Sequence, residues 1–158
     1  MLRLSKKADY ALIAMTHLAH RANSASAERA GVSTSARDIA ERYDIPLELM
    51  AKVLQRLVRT GLLDSTQGTR GGYTLSRPSP TISVADVIQA IDGPFTVTAC
   101  STENHDCEQY SKCSIRGPLW QIRERIVSAL GTVSIAEMAA EESATTAAVA
   151  VVRRAGME

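Results

Sequence analysis

The feature that most constrains the fold is a pair of short amphipathic helices followed at once by a glycine-rich hairpin, over residues 35–76. Ser35-Ala36-Arg37-Asp38 is a Ser-x-x-Asp capping box, which predicts the start of the first helix. Pro46 suits the first turn of the second helix, which extends from Leu47 to about Thr60. Two helices joined by a tight turn are typical of the helix-turn-helix motif.

The second helix has an apolar side and a polar side, as a recognition helix does. Four apolar residues recur at the spacing of a buried helix face: Met50, Val53, Leu54 and Leu57. Five polar or basic residues fall mainly on the other side: Glu48, Lys52, Gln55, Arg56 and Arg59. We predict that all five contact DNA, the first three by reading base edges and Arg59 by contacting a phosphate. An ordinary solvated helix face is the alternative.

Two strand-like runs follow, Leu62–Thr66 and Tyr73–Ser76, with a glycine-rich turn between them. Glycine permits positive φ, so the turn predicts a tight hairpin. A hairpin directly after a recognition helix makes a winged helix. Thr69 and Arg70 lie in the turn and are predicted to contact DNA, since Arg70 can there approach a phosphate or a minor groove closely. The other interpretation of Arg70 is an exposed loop charge.

The remaining patterns are mainly helical, which makes the predicted class mainly α with a small β-hairpin wing. A first helix covers Leu4–Ala19 with Ser5 as its N-cap, and a capping box at Ser83–Asp86 opens another. We divide the chain into a winged helix-turn-helix domain at 1–80, a cysteine loop and long helix at 81–140, and a flexible tail at 141–158.

A long helix begins at Gly117-Pro118 and carries an apolar stripe. An apolar stripe on a helix added to a complete winged-helix core needs a partner, and the same helix of a second subunit would supply it. Packing back onto its own core is the alternative. The predicted dimerisation residues are Leu119, Ile122, Ile126, Ala129 and Val133.

All three cysteines, Cys100, Cys107 and Cys113, lie on one polar loop between two helical patterns. Thiolates on such a loop can surround a common metal centre, and these soft ligands favour zinc or an iron–sulfur cluster. An odd number of cysteines argues against a framework made only of disulfides. One disulfide with a spare thiol, or three unrelated cysteines, is an equally good interpretation of the spacing alone.

Charge and hydropathy indicate the compartment and the partner. Residues 1–77 hold twelve Lys and Arg against seven Asp and Glu, whereas the rest of the chain is acidic. A basic front half favours contact with a polyanion, although chance asymmetry would look the same. The sequence has no membrane-length apolar run and no signal-peptide core, so we expect a cytoplasmic protein that does not bind a membrane.

The order of these parts resembles the cluster-sensing winged-helix repressors typified by IscR, NsrR and RirA, most closely the regulators of the SUF iron–sulfur assembly operon. Beyond the cysteines, four motifs carry the resemblance: Leu4-Ser5-Lys6, Asp9-Tyr10-Ala11, Gly68–Tyr73 and Ser83–Ile88. The resemblance covers roughly residues 1–140. It implies a homodimer that binds a pseudo-palindromic operator in double-stranded DNA and takes no small-molecule substrate.

The resemblance also implies that Cys100, Cys107 and Cys113 hold a [2Fe–2S] or [4Fe–4S] cluster in each subunit. Members that use a histidine as fourth ligand place it three residues after the last cysteine, where this chain has Arg116, which cannot ligate iron. Nitric-oxide-responsive members are thought to use an aspartate of the partner's first helix, and Asp9 matches that position. His105 is the second candidate.

The function that follows is a transcriptional repressor, not an enzyme, whose operator binding depends on an iron–sulfur cluster and which regulates SUF genes. A nitric-oxide- or iron-responsive repressor of the same family is the first alternative. An iron–sulfur carrier or a thiol redox protein is the alternative of another class, and a zinc-stabilised regulator is a further one. Operator specificity does not transfer, because Ala51 stands where some relatives present an acidic base-reading side chain.

Overall fold

The computed structural model describes residues 4–23, 33–68, 71–97 and 107–141. Two strands form an antiparallel hairpin, β1 (Leu63–Thr66) and β2 (Gly72–Leu75), and a 3₁₀ turn follows at Ser79–Thr81. The helices are α1 (Lys6–Asn23), α2 (Ala36–Arg42), α3 (Leu47–Arg59), α4 (Val84–Asp92), α5 (Arg116–Thr132) and a helical stretch, α6, over residues 135–141.

Serine caps fix where the helices begin, as the sequence predicted. The Ser35 hydroxyl accepts a hydrogen bond from the Asp38 amide at 3.1 Å, and the Ser35 amide donates to the Asp38 carboxylate at 3.2 Å. Ser83 and Asp86 form the same reciprocal pair at the start of α4. Both pairs satisfy backbone donors that the first helical turn leaves without partners. The capping boxes are therefore confirmed.

The core lies where α1, α3 and α4 pack together. Met15 of α1, Leu54 of α3 and Val87 of α4 are each almost fully buried in it. The predicted apolar side of α3 is confirmed, because all four of its residues are buried. Leu63 of the hairpin and Ile135 of α6 reach the same cluster. One core thus holds α3 against α1 and α4, and the division of the chain at residue 80 stays a prediction.

The hairpin is extended by a third segment that the sequence did not predict. Thr34, just before α2, pairs with Tyr73 of β2 through backbone hydrogen bonds of 3.1 and 2.9 Å. This pairing ties the wing to the start of the helix-turn-helix unit. Gly72 makes the close approach possible, because a Cβ there would lie 2.7 Å from the Thr34 carbonyl oxygen.

The end of α5 is fixed to the rest of the fold by a short backbone bridge. The Val84 amide donates to the Val133 carbonyl, and the Ile135 amide donates to the Ile82 carbonyl, each at 2.9 Å. Val133 follows α5 in an extended conformation, so its placement on the stripe of that helix was wrong. The reason is this bridge, which ends the helix one residue earlier. No helix in the described ranges is long and apolar enough to cross a membrane.

Candidate nucleic-acid interface and cysteine turn

The exposed side of α3 carries one straight line of polar residues opposite the core. Positions separated by four, three and four residues return to the same face of an α-helix. All members of the line are exposed, so none is committed to the interior of the protein. The line contains Glu48, Lys52, Gln55 and Arg59.

Arg56 lies off this line and has a partner inside the protein. Its Nε donates a hydrogen bond of 2.9 Å to the carbonyl of Ala90, in the last turn of α4. That carbonyl belongs to the group of helix-end acceptors that have no intrahelical donor. The guanidinium thus fastens α3 to α4, a contact between residues far apart in sequence that the spacing of α3 could not predict.

The wing adjoins α3 through the turn at Thr60 and Gly61. Gly68, with φ of 116°, adopts the left-handed conformation that the turn requires. Gly71 is needed for space, because a Cβ there would lie 2.4 Å from the Thr66 carbonyl oxygen. Thr69 and Arg70, the predicted DNA contacts of the wing tip, lie outside the described residues.

Arg37 is a further exposed cation of the helix-turn-helix unit that the sequence interpretation left out. It lies in the first turn of α2, the helix that packs directly against α3. Its side chain makes no hydrogen bond or ion pair that the described part of the chain provides. The capping box in the sequence could have indicated Arg37, because it places this residue at the exposed start of the helix-turn-helix unit.

The last part of the cysteine loop forms a compact turn between α4 and α5. Cys107 and Cys113 are free thiols and both are half-buried. The Tyr110 amide donates to the Cys107 carbonyl at 3.0 Å, which closes the turn. Arg116 clamps it, because Nη1 donates to the Tyr110 carbonyl at 3.0 Å and the guanidinium lies 4.1 Å from the centre of the Tyr110 ring.

Of the other predicted cluster ligands, the structure describes only Asp9. Cys100 and His105 lie outside the described residues. Within the described ranges, no three His, Cys, Asp or Glu side chains form a metal-binding group. Asp9 is exposed in the first turn of α1, and its carboxylate has no hydrogen-bond donor among the described residues. The described residues therefore include Cys107 and Cys113 on one turn, and Asp9 is accessible from outside the subunit.

The α5 helix is the least covered element of the described chain, because none of its residues is buried. Ile122 keeps 45% of its surface exposed and Trp120 keeps 41%. Ala129 is exposed as well, whereas Leu119 and Ile126 are half-buried. The predicted stripe thus divides into a more covered and a less covered edge.

Comparison with known proteins gives one family and several relatives. The model of the Rrf2 family, described as iron-dependent transcriptional regulators, matches residues 4–141. The HTH-type transcriptional regulator IscR of Xenorhabdus nematophila is 34% identical over 138 residues, which are 87% of this chain and 79% of that protein. IscR of Klebsiella pneumoniae strain 342 is 30% identical over the same fractions of the two chains.

Two solved structures show the same fold. CymR, the global cysteine regulator of B. subtilis, is 25% identical with a TM-score of 0.67, and the match covers 89% of this chain and 98% of CymR. IscR of T. potens is 24% identical with a TM-score of 0.66, over 89% of this chain and 88% of that protein. The predicted winged-helix class is thereby confirmed.

Proposed function

This chain belongs to the Rrf2 family of transcriptional regulators, and from that membership we propose that it is a homodimeric repressor whose operator binding is controlled by an iron–sulfur cluster. The resemblance to IscR-type regulators is confirmed, and DNA-binding regulation of transcription follows from it. The relatives are named as transcriptional regulators, which are not enzymes, in agreement with the prediction. Repression, the dimer and the cluster are the proposed part.

DNA binding has a geometric basis in the exposed line on α3. An α-helix fits the major groove of B-DNA, where each base pair presents a distinct pattern of donors and acceptors. Glu48, Lys52 and Gln55 supply the acceptor and donor groups that such reading needs, and Arg59 supplies a phosphate contact. We add Arg37 as a phosphate contact and retain Thr69 and Arg70 at the wing tip. Arg56 is withdrawn as a DNA contact because Ala90 already accepts its hydrogen bond.

The single observation that best supports cluster control is the turn holding Cys107 and Cys113. Its two thiols are free, half-buried and six residues apart, so they are available to a soft metal centre while partly shielded from solvent. Cys100 would be the third ligand. Bound there, a [2Fe–2S] or [4Fe–4S] cluster would supply a centre whose oxidation state and integrity respond to oxygen, nitric oxide or iron supply.

The fourth ligand would come from outside the turn. Arg116 occupies the position of the histidine found in some relatives, and its guanidinium is engaged by Tyr110. Asp9, exposed in the first turn of α1, would reach the cluster of the second subunit, and His105 is the alternative. A carboxylate ligand is exchanged more readily than a thiolate, which suits a cluster that must be lost when conditions change.

The exposed edge of α5 supports a twofold dimer. Ile122 and Ala129 leave apolar surface in water that a copy of the same helix would cover. A twofold dimer presents two α3 helices, which matches a pseudo-palindromic operator with half-sites one helical turn apart. By the resemblance to the SUF regulators, its targets would be iron–sulfur assembly genes. Nitric-oxide- or iron-responsive repression stays the alternative.

The test is the visible spectrum, with iron and acid-labile sulfide content, of protein purified without oxygen. Wild-type protein should show charge-transfer bands that bleach in air or nitric oxide, and Cys107→Ser should lose them. Ser111→Ala, in the same turn, is the matched control and should keep them. A colourless wild type containing zinc would establish the zinc-stabilised regulator. A cluster that transfers to acceptor proteins, with no loss of DNA binding in Arg59→Ala, would favour the carrier.

A further inference from the structure

Three elements donate side-chain hydrogen bonds to one short segment at the end of α4. We call residues 90–95 the α4 joint. Arg56 of α3 donates to the Ala90 carbonyl at 2.9 Å, and Arg123 of α5 donates to the Phe95 carbonyl at 2.7 Å. At the start of α1, the Ser5 hydroxyl donates to the Asp92 carboxylate at 2.6 Å. The recognition helix, the long helix and the first helix thus meet at the same six residues.

The chemistry of a helix end explains the bonds to Ala90 and Asp92, whereas Phe95 lies three residues beyond α4. The last carbonyls of α4 have no intrahelical donor, so they accept hydrogen bonds from elsewhere. A carboxylate near a helix C-terminus faces the negative end of the helix dipole, and a donor such as Ser5 offsets that repulsion. Arg56 brings positive charge to the same end, and Arg123 holds the Phe95 carbonyl just beyond it. The α4 joint is therefore held by its neighbours, and a shift of the joint would act on all three.

Two of the proposed cluster ligands, Cys100 and Asp9, are connected to the α4 joint. Cys100 follows Phe95 by five residues in the sequence. Asp9 lies one helical turn after Ser5, and its amide donates to the Ser5 carbonyl at 3.0 Å. Cys100 thus follows the α4 joint in the sequence. Asp9 lies in the first turn of α1, which the hydrogen bond of Ser5 connects to the joint.

We propose that the α4 joint is the coupling element of this regulator: ligation at Cys100 and Asp9 sets the position of residues 90–95, and Arg56 transmits that position to α3. This inference rests on the proposed cluster control and adds the route by which it reaches DNA. Arg56 is then a positioning residue, which acts on operator DNA through the orientation of α3. The coupling is a difference in operator affinity between two states, and its size measures the route.

Two substitutions interrupt the α4 joint without touching a ligand or the exposed line of α3. Arg56→Met keeps an unbranched aliphatic stem and removes the donor to Ala90. Asp92→Ala removes the acceptor for Ser5 and leaves the Ser5 hydroxyl free to cap Ala8, whose amide it binds at 3.1 Å. Arg125→Met and Glu141→Ala are the matched controls, because each removes one exposed charge that lacks a side-chain partner among the described residues.

The first readout is amide hydrogen exchange in the cluster-free protein, which does not depend on the proposed cofactor. Asp92→Ala should speed exchange in α3 several-fold, although Asp92 belongs to α4 and contacts α1. The controls should leave α3 unchanged. Faster exchange confined to α1 and the end of α4 would overturn the coupling route, because α3 would then be independent of the joint.

The second readout is the ratio of operator dissociation constants with and without the cluster. Arg56→Met and Asp92→Ala should each bring this ratio closer to one by roughly two- to tenfold, the effect of losing one hydrogen bond. The double variant should do no more than the stronger single one, since both act through one element. The slope of log operator affinity against log salt concentration should be the same as in the wild type.

A different pattern would identify Arg56 as a simple phosphate contact. In that case Arg56→Met would weaken both states equally and lower the salt slope by about one, and the inference would be rejected. Equal affinities of the two wild-type states would instead overturn the proposed cluster control. The hydrogen-exchange result would then decide by itself whether the α4 joint couples to α3.

Discussion

At the residue scale, the position of the wing depends on Gly72, which has no side chain. Gly72 lies so close to Thr34 that a Cβ would be 2.7 Å from its carbonyl oxygen and 2.8 Å from its carbonyl carbon. Both atoms belong to the backbone and cannot rotate away. Because Thr34 adjoins Ser35, the N-cap of α2, the same contact holds the wing against the helix-turn-helix unit.

Gly72→Ala should destabilise the fold by roughly 1–3 kcal/mol and weaken operator binding, since the clash can be relieved only by moving the wing or Thr34. Urea unfolding and operator titration measure the two effects. Gly131→Ala is the matched control, because a Cβ there meets nothing within 4 Å. Gly131 lies in the last turn of α5, where that change should stabilise by no more than a few tenths of a kcal/mol. Equal effects of the two substitutions would contradict the close contact.

The capping box at Ser35 links stability to pH. The hydrogen bonds from Ser35, first from its side chain and then from its backbone, hold the pKa of Asp38 below its usual value, and the Arg21 and His17 charges add to this. A carboxyl whose pKa is lowered on folding stabilises the protein above its unfolded pKa, and the contribution disappears as pH falls through the folded pKa. Asp38 is almost fully exposed, so the pH-dependent part is small.

Ser35→Ala should therefore cost about 1 kcal/mol at neutral pH, the usual value of a serine cap. The difference from wild type should shrink as the pH is lowered into the range where Asp38 protonates. Urea unfolding at neutral and acid pH measures it. Ser128→Ala, an exposed serine within α5, is the control and should show no such pH dependence. A difference that grows in acid would mean that Asp38 is not stabilised by Ser35.

At the scale of elements, α3 separates folding from recognition by its two faces. Met50, Leu54 and Leu57 bury one side, whereas the line through Gln55 and Arg59 is exposed. Changes on the exposed line should leave the free energy of unfolding within about 0.5 kcal/mol of wild type. Their effects on DNA should differ in kind, because base and phosphate contacts do different work.

Arg59→Ala should weaken binding to all sequences alike, by about tenfold, and reduce the salt slope by about one. Gln55→Ala should instead relax the preference at one base pair by roughly 1–3 kcal/mol and leave the salt slope unchanged. Fluorescence anisotropy on an operator and its single-base variants, at several salt concentrations, distinguishes them. The opposite assignment of the two patterns would show that α3 is rotated in the groove.

The α5 helix makes the corresponding prediction for assembly. Ile122→Glu places a charge on the exposed apolar edge, so the proposed dimer should dissociate, with operator affinity falling by more than tenfold because half-sites are then bound singly. Sedimentation equilibrium measures the subunit mass. Ser128→Glu, on the same helix, is the control and should remain a dimer. A wild type that is monomeric at micromolar concentration would contradict the proposed interface.

Local signals in the sequence predicted most of this architecture. The Ser35 and Ser83 caps and the buried face of α3 depend on residues within one or two helical turns, so spacing alone identifies them. Contacts between distant residues escaped prediction. Arg56 has the exposure and charge of a DNA contact, and only the packing of α4 shows that Ala90 accepts its hydrogen bond. Val133 continues the apolar spacing of α5 but lies beyond the helix, where its carbonyl accepts a hydrogen bond from the Val84 amide.

At the scale of the whole molecule, the proposed sensor and reader are connected through the end of α4. The cysteine turn, with Cys107 and Cys113, lies between α4 and α5 in the sequence, and the end of α4 is bonded to α3. A cluster would therefore need to bias only a few contacts. Roughly 1.4 kcal/mol of differential binding changes operator occupancy tenfold, an amount that one or two hydrogen bonds can supply.

The measurement that tests the central claim most directly is operator affinity in one anaerobic preparation before and after the cluster is removed. Protein and DNA stay the same in both halves of the experiment, and Cys107→Ser reports any effect of the removal procedure itself. We predict that the two dissociation constants differ by at least about tenfold in the wild type and are equal in Cys107→Ser. Equal constants in the wild type, with the cluster verified by iron and sulfide content, would contradict cluster control.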